Sequence, residues 1–154
     1  MRLKTLARQG DTAEILGRLK ELRPESVPRW GRMSAHQMVC HLGDSLRMVM
    51  GRKLVSHATS VLQRTIVKWI ALYAPLAWPA GIRTRPEIDQ ELGGTRPVDF
   101  AEDLAQVEAL LVLITAQTRS FDGQLHPIFG MLSDAAWLRW GYLHTDHHLR
   151  QFGA

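Results

Sequence analysis

Apolar residues recur every three or four positions along much of the chain, which is the spacing of amphipathic helices. In the first such segment, Asp11 and Glu14 predict an N-cap and its reciprocal partner, and Pro24 predicts where the helix ends. The apolar stripe between these signals consists of Ile15, Leu16, Leu19 and Leu22. The pattern predicts a first helix that buries one face.

Two more helices are predicted in the next part of the chain. Ser34 and Gln37 form a capping box, and the helix that they begin is expected to continue to about Met50, with Gly51 as its C-terminal stop. A third helix is predicted over Thr59–Ala74, which is rich in apolar residues. These boundaries leave a short connection between the second and third helices.

A long irregular connection is predicted after the third helix. Prolines and glycines interrupt this stretch repeatedly, and both residue types disfavour a continuous helix or strand. They are Pro75, Pro79, Gly81, Pro86, Gly93, Gly94 and Pro97. We interpret the stretch as a crossover between helices.

Two helices are predicted after the crossover. Asp99 and Glu102 begin the fourth helix, and Ser133 caps the last one. The segment Ser120–Gly130 between them is predicted to be turn-like, and no segment alternates clearly enough to predict a strand. The sequence therefore predicts an all-α fold, a helical bundle with one long crossover. The apolar seam of the fourth helix consists of Phe100, Leu104, Val107, Leu111 and Ile114.

Length and composition are those of one soluble globular domain, which we expect to span residues 1–154. The formal charge is +4, but lysine and arginine are scattered along the chain rather than clustered. A nucleic-acid interface needs such charges on one face, so we expect no nucleic-acid partner. The most apolar stretch, Trp69–Ile82, is broken by Pro75 and Pro79 and is shorter than the roughly twenty residues that span a bilayer. We therefore expect no membrane partner; this stretch is a candidate for a dimer contact or for covering the mouth of the bundle.

Cysteine usage and the amino terminus both favour a cytoplasmic protein. Cys40 is the sole cysteine, so an intrachain disulfide is impossible and a reducing compartment fits. Residues Met1–Gly10 lack the apolar core of a signal peptide. We expect the protein to be cytoplasmic.

Histidines near the end of the last helix point to a metal site. His144 and His148 are four residues apart and therefore lie on one face of a helix, where two imidazoles can converge on a metal ion. They continue the seam of the bundle, so we expect them to face inward, with Gly141 leaving room beside the metal. His147 competes with His148, because three-residue spacing from His144 also brings two rings together; continuation of the seam through Gln151 favours His148.

His41 in the second helix is the natural third ligand, since the helical pattern also directs it inward. We expect Asp44, nearly one turn further on, to accept a hydrogen bond from the ring nitrogen that faces away from the metal. Three imidazoles leave a coordination position open for water or substrate, and this ligand set suits zinc, nickel or ferrous iron equally. Thr145 stands where a zinc peptidase of the His-Glu-x-x-His type has its glutamate, which argues against peptide hydrolysis.

Four other residues are candidates for a place near this site or for a second one. His36 and Cys40 are four residues apart on another side of the second helix; a capping-turn histidine and a buried thiol are the favoured interpretation, and a second metal site is the alternative. We predict that His126 hydrogen-bonds its own loop, with a place in the pocket wall as the alternative. Trp137 is predicted to be a core residue or part of that wall.

These histidines give the sequence a resemblance to the DinB-like superfamily of metal-binding four-helix bundles. The resemblance rests on His41 within Cys40–Asp44 and on the spacing of His144, His148 and Gln151. Further segments look like a branch of that superfamily known only as a domain of unknown function: Trp30–Met38, Thr84–Asp89 and His126–Gly130. The resemblance covers roughly residues 11–153 and implies a four-helix bundle with an additional helix.

The resemblance also implies a function. Members of the superfamily hold a divalent metal with three histidines, often as homodimers, and some are transferases or isomerases that use low-molecular-weight thiols such as bacillithiol or mycothiol. It therefore implies a metal-dependent enzyme of this thiol-dependent type, with His41, His144 and His148 as ligands. The alternatives are a non-catalytic metal-binding or stress-associated protein and a helical interaction module with hydrogen-bonded core histidines.

Overall fold

The computed structural model describes residues 2–116 and 121–154, and these form a helical bundle. Helices α1, α2, α4 and α5 pack as a closed ring of neighbours, in which α1 contacts α4 and α5, and α2 contacts the same two helices. The short helix α3 lies against α5 as an additional element. This arrangement confirms the predicted all-α class. The helices are α1 (Gln9–Leu19), α2 (Ala35–Val49), α3 (Lys68–Tyr73), α4 (Phe100–Thr115) and α5 (Asp134–Gln151).

Three of the helices begin at the predicted caps. The Ser34 side chain accepts the backbone N–H of Gln37, whose side chain bonds back to the cap and completes the capping box of α2. Asp99 and Ser133 cap α4 and α5 in the same way through their side-chain oxygens. These caps are local interactions, so the sequence alone predicts them correctly.

The predicted N-cap of α1 is wrong. The helix begins at Gln9, and Asp11 lies buried in its first turn. One Asp11 carboxylate oxygen accepts the backbone N–H of Thr5, and the other lies 3.2 Å from an Arg2 guanidinium nitrogen. Asp11 therefore holds the N-terminal segment against α1 instead of capping the helix.

The predicted third helix is less regular than its pattern suggests. Residues 61–73 are helical, but Gln63–Val67 form a π-helical turn, and only the last part is the α-helix α3. Leu72 is the buried residue of α3, and its carbonyl accepts a hydrogen bond from Arg139 Nε of α5. The crossover that follows contains a single 3-10 turn at Pro86–Ile88, in agreement with the irregular connection predicted there.

A short strand pair corrects the expectation of no strand. Leu125–His126 (β1) and Gly130–Met131 (β2) pair in antiparallel register. Two residues per strand are too few to produce a recognisable alternation, so the sequence pattern carries no signal for them. All but the last residue of the pair, Met131, lies within the predicted turn-like segment, whose first residue, Ser120, is outside the described part of the chain.

The hydrophobic core lies between the four packed helices and includes one continuous buried cluster from Leu6 to Phe152. Most residues of the apolar stripes predicted for the first and fourth helices are buried, whereas Leu16, Phe100 and Leu104 are partly buried. In the described residues, no helix is long and apolar enough to cross a membrane. The core fixes α2 against α4 and α5, and this places the histidines of α2 and α5 opposite each other.

Candidate metal centre

Three histidines from two helices converge in the bundle. His41 of α2 places its Nε2 3.2 Å from Nε2 of His144 on α5. The ring of His148, one turn further along α5, lies 4.8 Å from each of the other two ring centroids. One ligand atom of each residue lies within 4.8 Å of those of the others. The structure therefore brings together the three residues that the sequence predicts as ligands, and we call them the histidine triad.

Hydrogen bonds on the far side of two rings direct their lone pairs toward the centre. His41 Nδ1 lies 2.7 Å from the carbonyl oxygen of Ile88, which can only accept, so Nδ1 carries the proton. His148 Nδ1 lies 2.9 Å from Gln151 Oε1, and the Gln151 amide nitrogen donates to the Trp30 carbonyl. That second bond fixes the amide oxygen toward His148. In the neutral rings, Nε2 of both histidines is therefore unprotonated and can bind a metal.

The third ring is held by stacking. His144 lies flat against Trp140, with 4.7 Å between ring centroids and 13° between planes. Its Nε2 faces the unprotonated Nε2 of His41, so without an ion it donates its proton there. A metal ion can replace this single hydrogen bond and engage a nitrogen of every ring.

Burial keeps the histidine triad neutral. Loss of hydration lowers the pKa of His41, and it lowers the pKa values of His144 and His148 well below the ordinary value. The neighbouring imidazoles lower the pKa of His144 further, because adjacent positive charges would repel one another. Metal binding requires neutral imidazoles, so this electrostatic setting favours a ligand role.

Asp44 does not have the predicted position beside the His41 ring nitrogen, because that nitrogen donates to Ile88 instead. The buried Asp44 carboxylate accepts the backbone N–H and the hydroxyl of Thr95, both at 2.7 Å, and the side-chain amide of Gln90 at 3.1 Å. The donors of all three hydrogen bonds are residues of the crossover. Asp44 thus anchors the chain segment whose Ile88 carbonyl orients His41.

Gln151 touches the histidine triad, whereas His126 and Trp137 lie one layer away. His126 Nδ1 accepts the backbone N–H groups of Ile128 and Phe129, as expected for a histidine that holds its own loop. Trp137 packs on His126 and Trp140 in the core. The aromatic residue stacked on a triad ring is Trp140, which lies four residues before His144 on α5.

His147 lies outside the histidine triad, in agreement with the preference for His148 as ligand. Its ring contacts Trp30 and Trp78, with centroids 5.7 and 6.1 Å away, and its buried Nδ1 has no hydrogen-bond partner among the residues that the structure describes. Trp78 also lies 6.3 Å from the ring of His144 and donates its indole N–H to the Ala71 carbonyl. The stretch Trp69–Ile82, one of whose predicted roles is to cover the mouth of the bundle, thus brings an aromatic residue over the histidines.

Gly141 does not provide space for a metal. A Cβ at this position would lie 2.9 Å from Leu6 Cδ1 and 3.6 Å from Ile114 Cδ1. The missing side chain therefore makes room for the N-terminal segment and α4, and the prediction that it lies beside the metal is wrong.

Comparison with known proteins gives one result. No curated protein and no solved structure matches the chain significantly. A family model described as "Protein of unknown function (DUF1569)" matches residues 4–154, which is nearly the whole chain. The chain therefore belongs to this family, DUF1569.

Proposed function

We propose that the protein binds one divalent metal ion through His41, His144 and His148 and acts as a metal-dependent enzyme of the thiol-dependent transferase or isomerase type. The observation that carries the proposal is the convergence of three neutral imidazoles whose ligand atoms lie within 4.8 Å of one another. The resemblance to DinB-like bundles supports the same assignment. A ligand set made only of nitrogen suits zinc, nickel or ferrous iron.

The site suits this chemistry because three protein ligands leave a coordination position free. A bound metal ion supplies a Lewis acid that keeps a low-molecular-weight thiol in its thiolate, nucleophilic form. The protein holds the ligands in place through the Ile88 carbonyl and the Gln151 amide. Trp78 and Trp140 border His144 with apolar surface, which limits water around a bound thiol and its small electrophilic partner.

One observation favours a second candidate, a non-catalytic metal-binding or stress-associated protein. Asp44 is the carboxylate on α2 closest in sequence to His41, and both of its oxygens are occupied by Thr95 and Gln90. It is therefore poorly placed to act as a general base. In this alternative the ion stabilises the bundle and no substrate is turned over.

The two functions are separated by metal content and turnover. Purified protein is analysed for bound metal, loaded with zinc, nickel or ferrous iron, and assayed against a panel of small electrophiles with bacillithiol or mycothiol. The enzyme proposal expects thiol-dependent turnover that His144→Ala abolishes and His147→Ala preserves at least in part. Stoichiometric metal without turnover in any combination would favour the non-catalytic role, and absence of bound metal in wild-type protein would overturn both.

We also propose where the protein works and in which oligomeric state. Low-molecular-weight thiols are kept reduced in the cytoplasm, and we propose that the protein works there. We also propose a homodimer, because apolar side chains of the helical residues 61–73 are exposed. Leu62, Ile66 and Trp69 are 56%, 58% and 63% accessible. Light scattering at several protein concentrations tests the dimer, and a strictly monomeric mass would contradict it.

A further inference from the structure

A second group of metal-binding side chains lies where α2 meets α4. His36 Nε2 is 2.7 Å from Asp103 Oδ2, and Cys40 Sγ is 3.5 Å from the same oxygen. One ligand atom of each residue lies within 4.8 Å of those of the others. His36 and Cys40 share a face as their spacing predicts, and the structure adds the carboxylate of α4.

This group is separate from the histidine triad. Cys40 and His41 are neighbours in sequence, and consecutive residues of an α-helix point about 100° apart. The ring of His41 faces α5 and Ile88, whereas the thiol of Cys40 faces Asp103 of α4. The two groups therefore use different sides of the same helix.

The second group is accessible from solvent and already ordered. The side chains of His36 and Asp103 are 20% and 16% exposed, while Cys40 forms the buried end of the group. Phe100 packs edge-on against the His36 ring, and the Val98 N–H donates to Asp103. An ion can therefore reach ligands whose positions are fixed by contacts outside the group.

We propose that His36, Cys40 and Asp103 bind a second divalent metal ion of the zinc type, with water as the fourth ligand. A thiolate, an imidazole and a carboxylate are the ligand types that zinc accepts in tetrahedral sites. Without an ion, the thiol donates a hydrogen bond to the carboxylate. When the ion binds, it replaces the thiol proton, which leaves to solvent. His36 stays neutral and carries its proton on the ring nitrogen that does not bind the ion. The thiolate and the carboxylate then balance the two positive charges of the ion.

Cobalt(II) titration tests this site directly. Cobalt bound to thiolate gives a sulfur-to-metal charge-transfer absorption in the near ultraviolet, and Cys40 is the sole cysteine of the chain. Protein freed of metal with a chelator is titrated in a buffer without thiols. We expect two equivalents of cobalt to bind and the thiolate absorption to develop with one of them.

Two variants assign the absorption to its site. Cys40→Ser, which keeps the size of the side chain, is expected to lose the thiolate absorption and retain one equivalent at the histidine triad. His144→Ala is expected to show the reverse, with the absorption intact. Asp103→Asn is expected to weaken the absorption at a fixed subsaturating cobalt concentration, with circular dichroism confirming that each variant is folded.

Three results would overturn the proposal. The first is no thiolate absorption in the wild type at saturating cobalt, and the second is an absorption that disappears in His144→Ala. The third is an absorption whose strength per chain falls when the protein is diluted at a constant, saturating concentration of free cobalt, which indicates a metal shared between molecules. Failure of the triad alone is distinguishable, because one equivalent would then bind with the thiolate absorption present.

Discussion

The two groups of metal-binding side chains on α2 differ in what holds them together without an ion. The histidine triad contains only neutral rings, and the outward-facing Nδ1 groups of His41 and His148 donate to the Ile88 carbonyl and the Gln151 amide oxygen. At its centre, a single shared proton joins His41 and His144. The group of His36 and Cys40 instead contains an anion, the carboxylate of Asp103, which accepts hydrogen bonds from both.

The difference indicates how strongly each group depends on a metal. Unprotonated nitrogens directed into a buried space are costly unless a cation or donor joins them. The group of His36, Cys40 and Asp103 is held together by its own hydrogen bonds. A cation that binds there must displace these bonds and remove the thiol proton. We therefore expect the histidine triad to bind divalent metal more tightly at neutral pH, and the predictions below test this order.

The largest expected effect is the loss of the tighter site in His144→Ala. Removing one of three protein ligands should weaken binding at the histidine triad by at least about 100-fold, or about 3 kcal/mol. Isothermal titration with zinc measures the change. His147→Ala is the matched control, because His147 lies on the same helix but outside the triad; equal weakening in both variants would contradict the ligand assignment.

As the pH falls, the histidine triad should lower the free energy of unfolding before the carboxylate of Asp103 does. Burial lowers the pKa values of the triad histidines below that of a free imidazole, so the unfolded chain binds more protons as the pH falls. Stability is fully present above about pH 6.5 and decreases below it, by up to about 1.4 kcal/mol per pH unit for each histidine. His126, whose pKa burial lowers to about 3, adds to the same slope. Urea denaturation of metal-free protein between pH 7.5 and 5 measures this decrease.

Two variants separate the groups in this experiment. His144→Ala should reduce the slope by the share of one histidine. Asp103→Asn should leave it unchanged, because the hydrogen bonds that Asp103 accepts outweigh burial and lower its pKa from 3.8, so that its contribution is lost only at more acidic pH. A free energy of unfolding that stays constant from pH 7.5 to 5 would show that the triad histidines are not buried in neutral form.

A smaller effect is expected from the hydrogen bond behind His148. Gln151→Met keeps the length of the side chain but removes the oxygen that accepts the Nδ1 proton. Outer hydrogen bonds of this kind contribute about 10- to 100-fold to metal affinity, so the zinc dissociation constant should rise within that range. Arg150→Met is the control, since the Arg150 side chain pairs with Asp146. An affinity equal to that of the control would mean that Gln151 does not orient the ligand.

The sequence predicts those interactions whose partners lie close together in the chain. The caps at Ser34, Asp99 and Ser133 involve residues three positions apart, and all three were predicted correctly. The inward direction of His144 and His148 follows from the same helical periodicity. Asp11 fits the same local rule, but a contact with Thr5 of the preceding segment overrides it.

The pattern offers a stretch that covers the bundle, but the individual partners of crossover residues are beyond such reasoning. The carbonyl of Ile88 orients His41 across 47 positions of the chain, and Trp78 reaches His144 from the same segment. A backbone carbonyl leaves no trace in the side-chain pattern, because every residue carries one. The sequence pattern predicts Asp44 in the place of Ile88 for this reason, because Asp44 is a suitable acceptor close in sequence. Its carboxylate instead accepts hydrogen bonds from Thr95 and Gln90.

Gly141→Ala should have the smallest effect, and we expect it only in the free energy of unfolding. The new methyl group lies 2.9 Å from Leu6 Cδ1, and overpacking of this kind typically costs about 1–3 kcal/mol. Alanine in place of glycine within a helix contributes about 1 kcal/mol in the opposite direction. We expect a net loss of about 1 kcal/mol in urea denaturation, relieved in part by Leu6→Val, and a zinc affinity within about twofold of the wild type. A weakened zinc affinity with unchanged stability would instead place Gly141 beside the ion.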